Sequence, residues 1–447
     1  MIRSSIARLP ALALFAITIL LLPSAIEPIH TFAKVQSTAV PSQVVVKLNP
    51  ASPTTIAAIN ATYGTATIAS LAPELGIFLL RAPQGVSAEQ LLRQMDTDTR
   101  LLYAELNYIG DAPEGNPRSI GAWGGTDPGP YSGQYAIAML GLTEAHQMSR
   151  GAGTVVAVLD TGVQLDHPAL AGSWTAARYN FVEGNTDPSD IGNGQDDDDD
   201  GAVDEMVGHG THVAGIVHLV APDAKLMPLR VLDSDGHGEF FAVAEAINYA
   251  VDNGADIINL SLGTSARSDM IADVTRRATE HGVAVVAAAG NLNSRKEQYP
   301  AAAQCALPIT STDQNDLKSS FGNFGGWIDF AAPGEMIYSA FPPSGYATWS
   351  GTSMATPFVA GQAALIRAAA PSANPRQIAA LIGVTAKSLD PLNPKYGGEL
   401  GQGRIAIGAS LASHGQWLPC RRQRNYQRQL CGRGGRHADS RIYSDPA

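Results

Sequence analysis

The sequence predicts a two-part fold, in which a small α+β domain of the ferredoxin-like, split βαβ kind precedes a larger α/β domain with a doubly wound, mostly parallel sheet. In residues 41–110 strand and helix patterns alternate in short segments, and from about residue 136 to 413 short apolar runs alternate with helical patterns. The chain has 447 residues, of which 45% are hydrophobic and 16% charged, so it is long and apolar enough to bury the cores of such domains.

Residues 1–33 are predicted to form a signal peptide. Arg3 and Arg8 supply positive charge before an apolar run from Ala11 to Leu22, which is shorter than the roughly 20 residues that span a bilayer. Cleavage is expected after Ala33, because Thr31 and Ala33 place smallish residues at the two positions that the cleaving enzyme recognises. The alternative is an uncleaved apolar anchor. We therefore expect a secreted, extracellular protein or one associated with the cell envelope.

Residues 34–110 form the predicted small domain, with the order strand, helix, long strand or hairpin, helix, strand. Ser52 and Ser87 precede the two helical patterns and are expected to cap them. Residues 111–125 are rich in glycine and proline and lack a period, which predicts an exposed, protease-sensitive linker.

Residues 126–413 form the predicted α/β domain. Its strands are "TVVAVLD", "KLMPLRVLD", "DIINLSLG" and "VAVVAAAGN", which are apolar through most of their length because helices cover both faces of such a sheet. Two intervening helical patterns end at Gly254 and Gly282, which favour a helix C-terminus. In a doubly wound sheet, the functional groups are expected where the strands end.

Residues 414–447 are predicted to be a basic, poorly packed tail. Its arginines, concentrated between Arg421 and Arg436, fit either a solvated or processed extension or a surface that binds anions. Cys420 and Cys431 could pair with each other, which leaves Cys305 as a buried apolar residue. Three cysteines are too few for a disulfide scaffold.

The net charge of -11 argues against nucleic acid as the main partner, because phosphate binding requires clustered cations. A monomer is expected, with polypeptide as the substrate once the chemistry below is considered.

The motif "GHGTHVAG" places His209 and His212 three residues apart at the start of an apolar run. Two histidines on one helical face could bind zinc, but the residues between them are Gly210 and Thr211, and no glutamate is present to act as general base. A metalloprotease site is therefore weakly supported, and a catalytic or structural role remains open at this point.

Three more polar residues follow buried segments of the same domain. Asp160 ends the strand "VVAVLD", Asn291 follows "VVAAAG", and Ser353 stands at the start of a long helix whose Pro357 suits a first turn. Each could simply be a cap or turn residue. Together with His209 they make a chemical set: Ser353 as nucleophile, His209 as general base and acid, Asp160 to fix the imidazole tautomer, and Asn291 as an oxyanion donor.

With these motifs the chain resembles the subtilisin-like serine proteases, the subtilase family. The segments "VAVLDTGV", "GHGTHVAG" and "SGTSMATPFVAG" carry the resemblance, "DIINLSLG" and "VVAAAGN" support it, and it covers about residues 126–411. The resemblance implies a secreted serine endopeptidase that needs no cofactor for catalysis. It also implies that His209 is the catalytic histidine and that His212 is structural.

The resemblance further implies a cleft in which a peptide lies as an added strand. One edge would be formed around Gly236 and Gly238. The opposite wall and the floor of the pocket for the residue before the scissile bond would be formed by Ser261, Leu262, Gly263, Ala288 and Gly290. These residues are small and uncharged, so a pocket for bulky apolar or uncharged side chains is expected.

The α+β domain resembles the inhibitory propeptide of the same family. This implies that the protein is made as a zymogen, with its own propeptide as an intramolecular inhibitor that is cut off within the linker. The alternative is a permanent accessory domain.

The acidic stretch "NGQDDDDDGAVDEMVG" resembles part of a calcium loop. Asp196, Asp198, Asp200 and Asp204 occupy the acidic positions of an EF-hand loop up to its ninth residue, but Val207 stands where the bidentate glutamate would be. Glu205 could help. The loop could bind structural calcium, or it could be a solvated acidic loop. At another position, where many members of the family have a calcium-binding acid, this chain has Ala169.

Two other classes of protein remain as alternatives. A catalytically inactive subtilase could serve as a binding or scaffold module, but such a protein has no need for Ser353 and Asn291 together. An esterase of the α/β-hydrolase type would require a Gly-x-Ser-x-Gly motif and the order Ser, Asp, His, and neither is present.

Overall fold

The computed structural model describes residues 39–115, 121–198 and 200–413. It confirms the two-part α/β architecture that the sequence predicts.

The N-terminal domain has the predicted alternation of strands and helices. Its elements are β1 (Ala39–Leu48), α1 (Ile56–Tyr63), β2 (Ala66–Ser70), β3 (Ile77–Arg81), α2 (Ala88–Met95) and β4 (Leu101–Asp111). The strands pair antiparallel in the order β2-β3-β1-β4, as in a ferredoxin-like fold. Ser87 caps α2 in a capping box with Gln90, as predicted, whereas α1 is capped by Thr55 and not by Ser52.

The larger domain follows with strands and helices in alternation. Its elements are β5 (Trp123–Gly125), α3 (Gly129–Gly133), α4 (Tyr135–Leu140), α5 (Leu142–Met148), β6 (Val155–Asp160), β7 (Tyr179–Asn180), α6 (His209–Val220), β8 (Lys225–Arg230), β9 (His237–Glu239), α7 (Phe240–Asp252), β10 (Ile257–Leu260), α8 (Asp269–Glu280), β11 (Ala284–Ala288), β12 (Ala306–Thr312), β13 (Phe330–Pro333), β14 (Ile337–Phe341), β15 (Gly345–Trp349), α9 (Thr352–Ala369), α10 (Pro375–Thr385) and α11 (Ile407–Ser413). Gly254 and Gly282 follow α7 and α8 in the left-handed conformation that ends a helix.

A seven-stranded parallel sheet in the order β13-β12-β11-β10-β6-β8-β7 forms the centre of this domain. Helices α6 and α9 pack against the sheet and against each other, while α7 and α8 pack together and also contact strands of the sheet. Strands β10 and β11 are buried along their whole length, which explains their continuous apolar sequences.

The N-terminal domain extends its sheet onto the larger domain. Strand β4 pairs antiparallel with β9, so that one five-stranded sheet crosses both domains. Two polar side chains of β4 bind the first turns of α7 and α8: Asn107 Oδ1 accepts from the Phe241 N–H, and Glu105 accepts from the Asp269 and Met270 N–H groups. The interface therefore satisfies helix N-termini that would otherwise need water or other caps.

The predicted exposed linker is partly wrong. Ala112 and Glu114 are 1% and 0% exposed, because residues 111–115 lie in a cleft of the larger domain. Further along, β5 pairs antiparallel with β15. A glycine- and proline-rich sequence lacks a period of its own, but it can still be ordered by pairing with distant strands.

Cys305 is disulfide-bonded, which corrects the prediction of an unpaired apolar cysteine. The predicted signal peptide, the basic tail, Cys420 and Cys431 lie outside the described residues. Among the helices in the described ranges, none has the length and apolar character required to cross a bilayer.

Candidate active site

Four polar residues that the sequence singled out come together at the carboxyl edge of the parallel sheet, around one carboxylate. That carboxylate belongs to Glu114. Its Oε2 accepts from Ser353 Oγ at 2.6 Å and lies 3.0 Å from His209 Nε2, and its Oε1 accepts from Asn291 Nδ2 at 2.9 Å. Asp160 Oδ1 binds the other side of the imidazole, 2.6 Å from Nδ1.

His209 is held from both ends of its ring. Burial lowers the pKa of His209, but the adjoining carboxylates of Asp160 and Glu114 outweigh this effect and raise the pKa to about 10. Since both ring nitrogens face carboxylate oxygens, the imidazole donates a hydrogen bond on each side. The histidine is therefore oriented with Nδ1 toward Asp160 and Nε2 toward Glu114 Oε2, the oxygen that also accepts from Ser353 Oγ.

Asp190 fixes the start of the histidine helix and was not identified from the sequence. Its buried carboxylate accepts from the Gly208 N–H and from the N–H and hydroxyl of Thr211, at 3.0, 3.4 and 2.9 Å. Gly208 has φ of 95°, a conformation that favours glycine, directly before His209. The sequence shows Asp190 only as an acid in an irregular loop before a helix, and such acids are too common in an acidic chain to indicate this role.

Ser353 is the second residue of α9, and its N–H points at Glu114 Oε1 at a distance of 3.3 Å. Pro357 lies inside the helix, not in its first turn as predicted, and so cannot donate to the Ser353 carbonyl. The Ser261 hydroxyl donates to that carbonyl instead, at 3.1 Å. Because Pro357 leaves the Ser353 carbonyl free, this carbonyl can bind Ser261, the residue that follows β10.

The direction of the Asn291 amide is set by Thr352. The N–H and hydroxyl of Thr352 both donate to Asn291 Oδ1, at 3.0 and 2.9 Å. The amide oxygen is therefore engaged on one side, and Nδ2 points to the same oxygen that the Ser353 N–H faces. The Thr352 hydroxyl also accepts from the Gly290 N–H at 3.1 Å. Thr352 is a second residue that the sequence analysis did not identify, although it directly precedes Ser353.

The two predicted edges of the cleft each pair with the segment that leads to Glu114. On one side Gly110 pairs with Gly238, and the Ala112 N–H donates to the Gly236 carbonyl at 2.9 Å. On the other side Asp111 and Gly263 exchange both backbone hydrogen bonds, at 3.0 and 2.9 Å. This segment therefore lies in the cleft as a strand between two strands.

The predicted pocket floor and wall meet at Gln298, a third residue that the sequence analysis did not name. A Cβ on Gly290 would lie 3.0 Å from Gln298 Cγ, and one on Gly263 would lie 3.9 Å from Gln298 Cβ. Ala288, Ser261 and Leu262 are also buried. Gln298 Nε2 is buried and has no hydrogen-bond partner within the described ranges, so its amide is available to a group that enters the pocket.

His212 faces away from this centre. Its Nε2 lies 3.1 and 3.0 Å from the carbonyl oxygens of Ile337 and Ala347, and burial lowers its pKa to about 3. A neutral imidazole that donates to backbone carbonyls ties α6 to β14 and β15, and it is not placed to share a metal with His209.

The carboxylates that lie close together in and near the acidic loop differ in part from the predicted set. Asp196, Asp198 and Asp235 form one cluster of carboxylates and Asp198, Asp200 and Glu205 another, with the oxygens of each cluster within 4.8 Å of one another. Asp204 lies outside both clusters, because its carboxylate accepts from the N–H groups of Asn193 and Gly194. Asp235 follows 31 residues after Asp204, so the loop spacing alone could not indicate it.

Comparison with known proteins identifies the family to which this chain is similar. A model of the subtilase family matches residues 151–404, and a model of the fervidolysin N-terminal prodomain matches residues 28–107. Thermitase from Thermoactinomyces vulgaris is 42% identical over 258 residues, which cover 56% of this chain and 87% of that protein. Subtilisin BL from Lederbergia lenta is 39% identical over 269 residues, covering 58% and 93%.

The crystal structure of fervidolysin from Fervidobacterium pennivorans, described as a keratinolytic enzyme related to subtilisin, shares the fold with a TM-score of 0.67 at 23% identity. The match covers 84% of this chain and 61% of that one. The fold, the family match and the relatives together define the class: the chain belongs to the subtilase family. Within that class it is a subtilisin-like serine endopeptidase with an N-terminal prodomain.

Proposed function

We propose that the chain is an exported endopeptidase, made as a zymogen, that hydrolyses peptide bonds with Ser353 as nucleophile and His209 as general base and acid. Asp160 holds the imidazole, and Asn291 Nδ2 and the Ser353 N–H form the oxyanion hole. These four side chains supply a nucleophile, a proton carrier and oxyanion donors, so the reaction as proposed uses no metal at the reacting atoms.

The single observation that carries this proposal is the position of one bound carboxylate. The Glu114 oxygens contact Ser353 Oγ, His209 Nε2 and Asn291 Nδ2 at 2.6, 3.0 and 2.9 Å. A peptide carbonyl in the same place would meet the serine oxygen while its own oxygen points at the two donors. Ser353 Oγ would then pass its proton to His209 Nε2, which returns it to the leaving amine, and water releases the acyl group by the same route.

Substrates are proposed to be polypeptides bound as an added strand. The pairing of Gly110, Asp111 and Ala112 with Gly238, Gly263 and Gly236 supports this mode, because it uses backbone groups that any extended peptide has. The small residues around Gln298 support a pocket for bulky uncharged side chains, and the buried amide favours those that can accept a hydrogen bond.

The proposed organisation is a signal peptide over residues 1–33, an inhibitory propeptide over 34–110, a linker with the maturation site over 111–125, a catalytic domain over 126–413 and a basic tail over 414–447. The prodomain match over residues 28–107 and the occupied cleft support the zymogen. The apolar N-terminal run supports export.

A serine-directed fluorophosphonate tests the catalytic assignment. The mature protein should be labelled at Ser353, as read by peptide mapping, and the Ser353→Ala variant should lose casein cleavage and labelling. Ser350→Ala, three residues earlier and outside the centre, is the matched control and should keep both. Casein cleavage by Ser353→Ala would refute the mechanism.

We also propose structural calcium in the acidic loop. The two clusters offer hard oxygen ligands, and Glu205 Oε2 is buried with no hydrogen-bond partner among the residues described. Burial and the neighbouring carboxylates raise the pKa of Glu205 to about 7, so a cation would relieve the repulsion within the cluster. Asp196, Asp198, Asp200, Glu205 and Asp235 would hold it.

A further inference from the structure

The segment that occupies the cleft follows the course of a substrate for only part of its length. Asp111 and Ala112 pair with Gly263 and Gly236, as an extended peptide would. Directly afterwards the chain turns, because the Gly115 N–H donates to the Ala112 carbonyl at 3.1 Å. Pro113 and Glu114 occupy the two central positions of this turn, and proline is favoured at the first of them.

This turn brings a side chain, in place of a peptide bond, to the reacting atoms. Both oxyanion donors, Asn291 Nδ2 and the Ser353 N–H, point at Glu114 Oε1. Glu114 Oε2 accepts from Ser353 Oγ and contacts the imidazole. The donor pair that would polarise a scissile carbonyl is thus engaged by a carboxylate.

A carboxylate in this position cannot be cleaved. It carries no amine leaving group, and its negative charge resists attack by Ser353 Oγ. It resembles the carboxylate that hydrolysis of a peptide leaves behind. The surroundings also match its shape and charge: Glu114 is fully buried, a Cβ on Gly351 would overlap its Oε1, and the raised pKa of His209 keeps a cation beside it.

We propose that Glu114 is a built-in carboxylate ligand of the catalytic centre, which makes Asp111–Gly115 a non-scissile plug and directs the first maturation cut to another bond. This inference rests on the proposed function, because it assigns a regulator to the same Ser353 and His209. Inhibition by the prodomain then depends on the Glu114 side chain as well as on the pairing of β4 with β9.

The test measures how accessible Ser353 is in the uncut precursor. The full-length protein is pulsed with a fluorescent fluorophosphonate during folding, and labelling is read separately on the precursor band and on the mature band. Wild-type precursor should label slowly. Glu114→Ala and Glu114→Gln should label the precursor about tenfold faster or more, because each removes hydrogen bonds to a charged group. Glu114→Gln keeps the side-chain shape, which guards against a folding defect.

Asp96→Asn, an exposed acid of the same domain, is the control and should match the wild type. Unchanged slow labelling of the precursor in both Glu114 variants would overturn the plug. So would intact masses showing that the first cut in the wild type falls at a bond between residues 112 and 115. If the mature wild-type band itself is not labelled, the proposed catalytic function fails instead, so the two failures are distinguishable.

Discussion

Asn291 is useful as an oxyanion donor only if its amide faces the right way. An asparagine side chain can present either oxygen or nitrogen to a site, and a flipped amide would place a negative dipole where negative charge develops. Thr352 prevents this by donating twice to Asn291 Oδ1. Under the proposed mechanism, Thr352 would therefore act on catalysis through the side chain of Asn291.

Thr352→Val should lower kcat about tenfold with little change in KM, because the isosteric side chain loses the hydroxyl that helps to orient Asn291. Direct removal of the donor in Asn291→Ala should cost a factor of about 10²–10³. Steady-state kinetics on a short peptide substrate measure both.

The matched control is Thr356→Val, one turn later on α9, whose hydroxyl donates to the Thr352 carbonyl. A kcat for Thr352→Val equal to that of Thr356→Val would argue against the orienting role.

At the scale of elements, the polar residues of the site lie where a strand ends or a helix begins. Asp160 ends β6, His209 begins α6, and Ser353 is in the first turn of α9. Helix N-termini leave unsatisfied N–H groups and carry partial positive charge, which favours the anionic groups that acyl transfer creates. The parallel sheet places these ends on one edge, so that residues far apart in sequence meet.

The acidic loop between β7 and α6 gives a prediction about calcium. Removing divalent cations with EDTA should lower the Tm by several degrees, since ligand binding to the folded state stabilises it. Asp198→Asn should abolish most of this sensitivity, because Asp198 belongs to both carboxylate clusters.

Asp204→Asn serves as the control for that experiment. Asp204 lies in the same loop but outside both clusters, so its variant should be less stable yet remain sensitive to EDTA. A Tm that EDTA does not change in the wild type would contradict the calcium proposal.

At the scale of the whole molecule, the two domains share a sheet and an interface. One face of the N-terminal sheet has its own core, which includes Val44, Val46 and Leu80, whereas Val45, Ile77 and Leu79 on the other face join the main core. Between the domains, Glu105 accepts from the Ser268 hydroxyl and from two N–H groups of α8. Burial raises the pKa of Glu105 from its usual 4.5 to about 7.

This raised pKa predicts that the domain interface weakens as the pH rises. A carboxyl group whose pKa is higher in the docked state stabilises that state fully below its usual pKa, and the contribution is lost as the pH rises through about 7. In a full-length Ser353→Ala background, which should not process itself, Glu105→Gln should flatten the fall in Tm between about pH 5 and pH 8.

Glu74→Gln is the control, since Glu74 of the same domain pairs with Arg277 but its own side chain is 57% exposed. Its pH profile should follow the parent protein. A Glu105→Gln profile that also follows the parent would show that Glu105 does not set the pH dependence.

Much of the fold follows from local patterns. The apolar strands, the glycines after α7 and α8, and the cap at Ser87 all depend on residues within one or two turns of each other, and each is present. The wrong predictions for Ser52 and Pro357 arise where local patterns do not decide the structure. Ser52 and Thr55 are both of residue types that cap helices, and Pro357 is tolerated inside α9 because Ser261, 92 residues away, satisfies the carbonyl it leaves free.

The sequence by itself determined the order of the elements, the family motifs and the four polar residues at their ends, because periodicity and motifs are written in neighbouring residues. Only the tertiary structure decided how these residues are held and what lies among them. Thr352 donates to Asn291, Asp190 holds the start of the histidine helix, and Asp235 lies in one cluster with Asp196 and Asp198. Glu114 contacts Ser353, from which it is separated by 239 positions in the sequence. Such contacts depend on how the elements pack in space, and no local pattern encodes them.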